Sequence, residues 1–164
     1  MVLANPPAEE TATRLTREIL ELDRKGKRRV AKNVVAIGKR LLALQQHLGF
    51  GDWLRWLVDR LPYSPRTAQR YIALARWAET FPGDFEHFAH LGIGKLQLLA
   101  MLSKSRRRRF RNGGTFKIPG TNIRKTLEVM THVELATVIQ GASSLAAAPP
   151  ALPATKLLAR FRHR

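Results

Sequence analysis

Cysteine is absent from all 164 residues. Thiol catalysis, disulfide staples, cysteine-rich zinc sites and cysteine-held iron–sulfur clusters are therefore excluded. Acidic residues are scarce: 12 Asp plus Glu stand against 29 Lys plus Arg, a formal net charge of +17, and no acid falls between His87 and Leu127. A charge of that size is balanced by a polyanion or borne as self-repulsion. Nucleic acid is the expected counterpart, although acidic lipid or an acidic protein surface meets the same arithmetic. Long hydrophobic runs are missing too, none approaching the roughly 20 apolar residues that span a bilayer. The opening Met1-Val2-Leu3-Ala4-Asn5-Pro6-Pro7 lacks the basic-then-apolar order of a secretory signal. The expectation is a soluble, cytoplasmic, nucleoid-associated protein without a membrane partner.

Catalytic signatures are equally thin. The twelve acids are scattered rather than paired, and His47, His87, His90, His132 and His163 have no metal-ligand spacing beyond His87 and His90 lying three apart. Ser103 and Ser105 have no nucleophile context, and Gly113-Gly114 lacks the rest of a phosphate-binding loop. No catalytic residue, cofactor or metal is expected, and the chain reads as a binding protein rather than an enzyme.

What is present is helical periodicity. Residues 1–12, rich in Pro and Ala, read as a flexible lead-in. Leu15, Ile19 and Leu22 open a helix that the polar run 23–29 interrupts, and Val30, Val34, Ile37, Leu41, Leu44 and Leu48 line one face of a second, stopped at Gly49. Phe50, Trp53, Leu54, Leu57 and Leu61 form a short helix ending at Pro62. Ser64-Pro65 then starts another, running to about Glu79: the serine hydroxyl accepts an orphan backbone N–H, and proline needs no donor in the first turn. A short piece around residues 85–90 and a helix over 91–102 complete a helical core over 13–103. Residues 104–127 read as a basic linker or small subdomain with an extended segment at Phe116-Lys117-Ile118. A short helix follows over 128–140, with Thr131 and Glu134 at capping-box spacing. Residues 141–164 read as a flexible Ala/Pro-rich basic tail. The fold class is all-α: a small helical domain containing a helix-turn-helix at 50–79, with a basic C-terminal extension.

Two helices joined by a tight turn, the second capped by Ser64-Pro65, have the proportions of a helix-turn-helix, whose second helix enters the major groove. In that helix Ala68, Ile72 and Ala75 share a small, apolar face, while Arg66, Gln69, Arg70, Ala73 and Arg76 fall on another. Arg66, Gln69 and Arg70 are the expected base readers, since Arg pairs bidentately with guanine and Gln with adenine. Ser64, Thr67 and Arg76 are expected on phosphates, joined by Arg106, Arg107, Arg108, Arg109 and Arg111. The bland alternative is an amphipathic helix with a solvated basic face. Trp53 belongs to the apolar stripe, whereas Trp56, Trp77 or the basic tail are candidates for a protein partner.

Ile37-Gly38 with Leu41, then Phe50, Trp53 and Leu54, then Ser64, Arg66, Thr67, Ala68, Arg70, Tyr71 and Ala75 make up a pattern. On these residues the chain resembles an uncharacterised group of bacterial, phage and plasmid proteins that pair an Ile-Gly helix with Phe-x-x-Trp-Leu and Ser-x-Arg-Thr-Ala-x-Arg-Tyr helices. The resemblance covers residues 15–77. It departs at Gln45, where a lysine is expected, and at the compressed His47-Leu48-Gly49-Phe50. Residues 91–99 are more loosely similar to the helix after the helix-turn-helix in plasmid-partition centromere-binding proteins. That likeness implies binding to repeated or palindromic sites.

The expected function is sequence-specific binding of double-stranded DNA by a homodimer, as a transcriptional regulator or partition-like binder reading the groove with helix 65–79. A non-specific nucleoid or RNA-binding protein, and a helical adaptor for an acidic protein, are the alternatives.

Overall fold

The computed structural model describes residues 8–48 and 50–146; of the flexible lead-in expected over 1–12 and the flexible, partner-binding tail expected over 141–164, residues 1–7 and 147–164 lie outside the described residues, whereas 8–12 and 141–146 are helical, which corrects both expectations there. The order is α1 (Ala8–Leu48), α2 (Phe50–Arg60), α3 (Pro65–Thr80), α4 (Pro82–Phe88), a 3-10 turn (Ala89–Leu91), α5 (Ile93–Ala100), α6 (Lys104–Arg111), β1 (Thr115–Lys117), β2 (Arg124–Thr126) and α7 (His132–Ala146). Among the described residues the fold is all-α apart from one two-stranded antiparallel hairpin, in which Phe116 faces Lys125. No helix among the described residues is long and apolar enough to cross a membrane.

The first departure from expectation is α1. The polar run 23–29 does not break it, and the helix runs 41 residues without interruption from Ala8. Gly26 in a helix interior costs about 1 kcal/mol against alanine, which is too little to end a helix whose neighbouring turns are favourable. Lys25 pairs with Glu21 at 2.9 Å and Lys27 with Asp23 at 2.5 Å, each one turn along the helix. The polar run is simply a solvated stretch of helix.

Burial begins abruptly. Leu15, Ile19, Leu22 and Val30 are exposed, whereas Ala31, Val34 and Leu41 are buried. From Ala31 onward α1 lies antiparallel against α3: Leu41 clusters with Ala68 and Ile72, and Ala31 and Val34 with Leu74, Trp77 and Ala78. Between these layers the backbones nearly touch at Gly38. A Cβ there would stand 2.1 Å from the Tyr71 carbonyl oxygen and 2.9 Å from the Ala75 Cβ, so the crossing requires glycine. Trp53 and Leu57 of α2, both fully buried, close the far end of this crossing.

The core does not stop at Leu102. The larger cluster continues through Phe110, Phe116, Ile118, Leu127, Met130, Leu135 and Val138, so residues 104–127 are a packed part of the domain rather than a linker. Residues 104–111 are helical because Ser103 caps them, its hydroxyl accepting from the Arg106 N–H. Gly113 and Gly114, at φ +76° and +101°, then turn the chain into β1, where Phe116 stacks on Phe110 with ring centres 4.7 Å apart. Thr131 and Glu134 form a reciprocal capping box: the Thr131 N–H donates to Glu134 Oε2 at 2.8 Å, and the Glu134 N–H to Thr131 Oγ1 at 3.2 Å. Lys125, 2.7 Å from Glu134 Oε1, and the Thr131 N–H hold that carboxyl below the usual carboxylate range. The helix so started reaches Ala146, beyond the expected end near residue 140.

The two glycines of α1 separate the effect of packing from that of helix propensity. Gly38→Ala gains up to about 1 kcal/mol of propensity but meets the Tyr71 backbone, and is expected to cost a net ~2 kcal/mol or more by overpacking. Gly26→Ala, with nothing within 4 Å, is expected to raise stability by up to about 1 kcal/mol. Urea unfolding of both variants checks the opposite signs.

Candidate nucleic-acid interface

α3 is held by a cap at its N-terminus and by burial along one face. Ser64 sits in an extended conformation at its N-cap, accepts the Thr67 N–H at 3.2 Å and shares a hydrogen bond with the Thr67 hydroxyl at 2.9 Å. Ala68, Ile72 and Ala75 pack against α1 as their small-residue spacing predicts, and Leu74, Trp77 and Ala78 are buried with them. What is left outside is one ridge: Arg66, Gln69, Arg70, Ala73 and Arg76 are all exposed. Among the described residues no acid forms an ion pair with any of these three arginines. Nearby carboxylates are engaged elsewhere, Glu79 with Lys39 at 3.5 Å and Glu86 with Lys32 at 3.2 Å. The ridge therefore carries three uncompensated guanidiniums and an amide over about three helical turns, beside the positive end of the helix dipole.

The arginine run 106–109 divides instead of acting as one patch. Arg107 is 3% exposed, so its assignment to a phosphate contact is corrected. Its Nε donates to Asp84 Oδ2 at 3.1 Å, one terminal nitrogen donates to the Leu102 carbonyl, and its guanidinium lies over the Phe81 ring at 4.3 Å and the Trp77 ring at 5.6 Å. Arg111 bonds the other oxygen of Asp84 at 2.8 Å. One carboxylate thus holds two guanidiniums, and α6 is clamped onto α4 and the C-terminal end of α3. The signal for this was present: Phe110 is apolar, and the residue three before it shares its helix face.

Arg108 and Arg109 are exposed, the latter stacked over Phe116 at 5.9 Å, while Arg106 is half-buried. Arg106 and Arg109, with Lys117 and Arg124 of the hairpin, surround a cleft of about 660 Å³ floored by Leu102, Phe110, Phe116, Val138 and Ile139. Because Arg107 touches Trp77, this second basic region adjoins the end of α3 opposite Arg66. The two are separated by about 16 Å along the helix axis. The structure brings Arg66, Gln69, Arg70 and Arg76 together and leaves α6 apart from their N-terminal end.

Two aromatic assignments also sort. Trp77 is buried at 6% exposure, edge-on to Phe85 with centres 6.2 Å apart, and so is corrected from a partner surface to core. Trp56 remains exposed, with the Arg60 guanidinium 5.6 Å from its ring centre. His87 is exposed and packs edge-on against Phe88. Burial of the half-buried His90 pushes its imidazole below the ordinary value. Among the described residues no group of three or more His, Asp or Glu is placed to hold a metal ion.

A family model described as "Protein of unknown function (DUF3102)" matches residues 10–86, a span that takes in α1, α2, α3 and most of α4. No curated protein and no solved structure matches the chain.

Removing the carboxylate that serves Arg107 strands a buried cation. Asp84→Ala is expected to cost about 3–5 kcal/mol and to loosen α6 from α3. Thermal unfolding measures the loss. Hydrogen exchange at residues 104–111 distinguishes local release of α6 from general destabilisation.

Proposed function

We propose that the protein binds double-stranded DNA in a sequence-specific manner, as a symmetric homodimer that presents α3 to the major groove. The observation that carries this reading is the exposed ridge Arg66, Gln69, Arg70 and Arg76, free of acidic partners on a helix whose opposite face is fixed in the core. α2 and α3, joined by residues 61–64, serve in this reading as a helix-turn-helix. Arg66, Gln69 and Arg70 lie in the N-terminal half of α3, the part nearest base edges, and their donors suit guanine and adenine. Ser64 and Thr67 at the capped N-terminus, and Arg76 farther along, contact phosphate. The exposed cations Arg108 and Arg109 supply sequence-independent attraction. Such a protein serves as a transcriptional regulator or a partition-like binder associated with the nucleoid.

Single helices of this kind read few base pairs, so a two-fold pair reading half-sites about one DNA turn apart follows from the geometry of the groove. The test is selection from a random duplex library at roughly physiological salt, where non-specific affinity is reduced. The expected product is an enriched inverted repeat. On that site Arg70→Ala should lose about 1–3 kcal/mol of discrimination at one base position. Replacing Arg108 and Arg109 with alanine should weaken all sequences alike and lower the salt slope by about 2. Equal losses on selected and random DNA from both changes contradict the proposal. Retention without enrichment points to a non-specific nucleoid or RNA-binding protein, and no retention points to an acidic protein partner.

A further inference from the structure

The cleft enclosed by α6, the hairpin and α7 lies wholly beyond residues 10–86, the span of the family match. Its volume of about 660 Å³ is within the range that buries one small organic molecule. The floor is apolar, with Leu102 and Val138 beside Phe110 and Phe116, whose rings stack 4.7 Å apart. The rim is cationic: Arg106 and Arg109 come from α6, Lys117 from β1 and Arg124 from β2. None of the described residues lining it is acidic. Asp84 is taken by Arg107 and Arg111, and Glu134 by Lys125 at 2.7 Å.

Lys117 and Arg124 are direct partners across the two strands. Like charges set opposite one another weaken a hairpin, and an anion between them removes that cost. Arg124 is also held in place: its Nε donates to Thr115 Oγ1 at 3.1 Å and one terminal nitrogen to the Thr115 carbonyl at 3.0 Å. A guanidinium fixed in advance loses little freedom when it takes a ligand. Arg109 lies over the Phe116 ring at 5.9 Å, which sets a cation directly above the apolar floor. We infer that this cleft binds a small organic anion with an apolar body, its carboxylate, sulfonate or phosphate head between Lys117 and Arg124 and its body against Phe116. Guanidinium forks match all such heads. Charge complementarity selects this occupant over the others at hand. The chain's own residues 147–164 carry Lys156, Arg160, Arg162 and Arg164 and no acid, so they repel the rim. A DNA duplex presents phosphates but no apolar body to the floor. No carboxylate or imidazole stands among the described lining residues to act as a general base, so the cleft binds its ligand and does not transform it. The inference is independent of what α3 reads.

Two dyes that share one apolar body separate the two requirements. Anilinonaphthalene sulfonate carries an anionic head, and phenylnaphthylamine is the same body without it. Fluorescence titration of the full chain is expected to show saturable binding of the sulfonate, with the neutral amine bound about tenfold or more weakly. Inorganic phosphate, a head without a body, should not displace the dye at equal concentration. Lys117→Glu sets an opposite charge before Arg124, so it should keep or raise thermal stability while weakening the sulfonate about tenfold or more. That pairing of signs separates loss of binding from loss of fold. Lys104→Glu makes the same change of charge on α6 at an exposed residue that does not line the cleft. It should alter binding by less than about twofold, since salt screens exposed charges over roughly 8 Å. Equal affinity for sulfonate and amine means an apolar crevice without anion recognition. Equal losses from both variants mean the general field of a basic chain, and displacement of the dye by a duplex oligonucleotide, lost in Lys117→Glu, means a phosphate-backbone site. Each of these results overturns the proposal, as does absence of binding.

Discussion

The crossing of α1 over α3 at Gly38 is the constraint on which the rest of the fold depends. The backbones come so close there that the Tyr71 carbonyl occupies the space a Cβ would need. That contact fixes the rotation of α3 about its own axis. Once Ala68, Ile72 and Ala75 face α1, Arg66, Gln69, Arg70 and Arg76 have only solvent to face. Small residues at the crossing and long cationic ones on the ridge are therefore two consequences of one packing arrangement. In the proposed reading this packing would favour groove recognition, since side chains on a packed helix lose less freedom on binding than those on a mobile loop.

The net charge of +17 is not one uniform surface. Asp84 draws Arg107 and Arg111 into a clamp between α4, α6 and the end of α3. A buried ion pair of this kind offers weak net stability but a severe penalty when broken, so it works as a positional lock. Other cations are used along α1 in pairs one helical turn apart, each worth a few tenths of a kcal/mol at about 25 °C. Two further groups of cations stand together among the described residues: the α3 ridge, and the residues lining the α6–hairpin cleft, Arg106, Arg109, Lys117 and Arg124. In the proposed reading the long-range field of both would draw in a polyanion, and the ridge, which sets an amide among its cations at helical spacing, is the part suited to base edges.

Much of this arrangement was legible locally. Ser64-Pro65 marked the start of α3, the Thr131/Glu134 spacing marked a real capping box, and the alternation of small and cationic residues on α3 divided buried from exposed positions correctly. Each depends on residues within one or two turns. What escaped depends on distant partners. The continuity of α1 was hidden because Gly26 and its polar neighbours look like a loop, yet intrahelical pairs and a solvated setting carry the helix through. Arg107 and Trp77 looked like surface chemistry because their partners, Asp84, Phe81 and Phe85, come from another helix and the turn before it. The sequence also gives no local reason for Phe110, Phe116 and Leu127 to join the core; that follows from a hairpin folding back on α6 and α7. The resemblance to an Ile-Gly-containing helix acquires a physical meaning only at the crossing, where glycine is the residue that fits.

The account's central claim is that the exposed ridge of α3 meets the bases. The most direct measurement is a map of backbone amide shifts by nuclear magnetic resonance during titration with a selected duplex at roughly physiological salt. The account predicts the largest changes over residues 64–76, with smaller, salt-sensitive changes at 108 and 109. Dominant changes over residues 104–126, with α3 unmoved, would contradict it and transfer nucleic-acid binding to the α6–hairpin cleft.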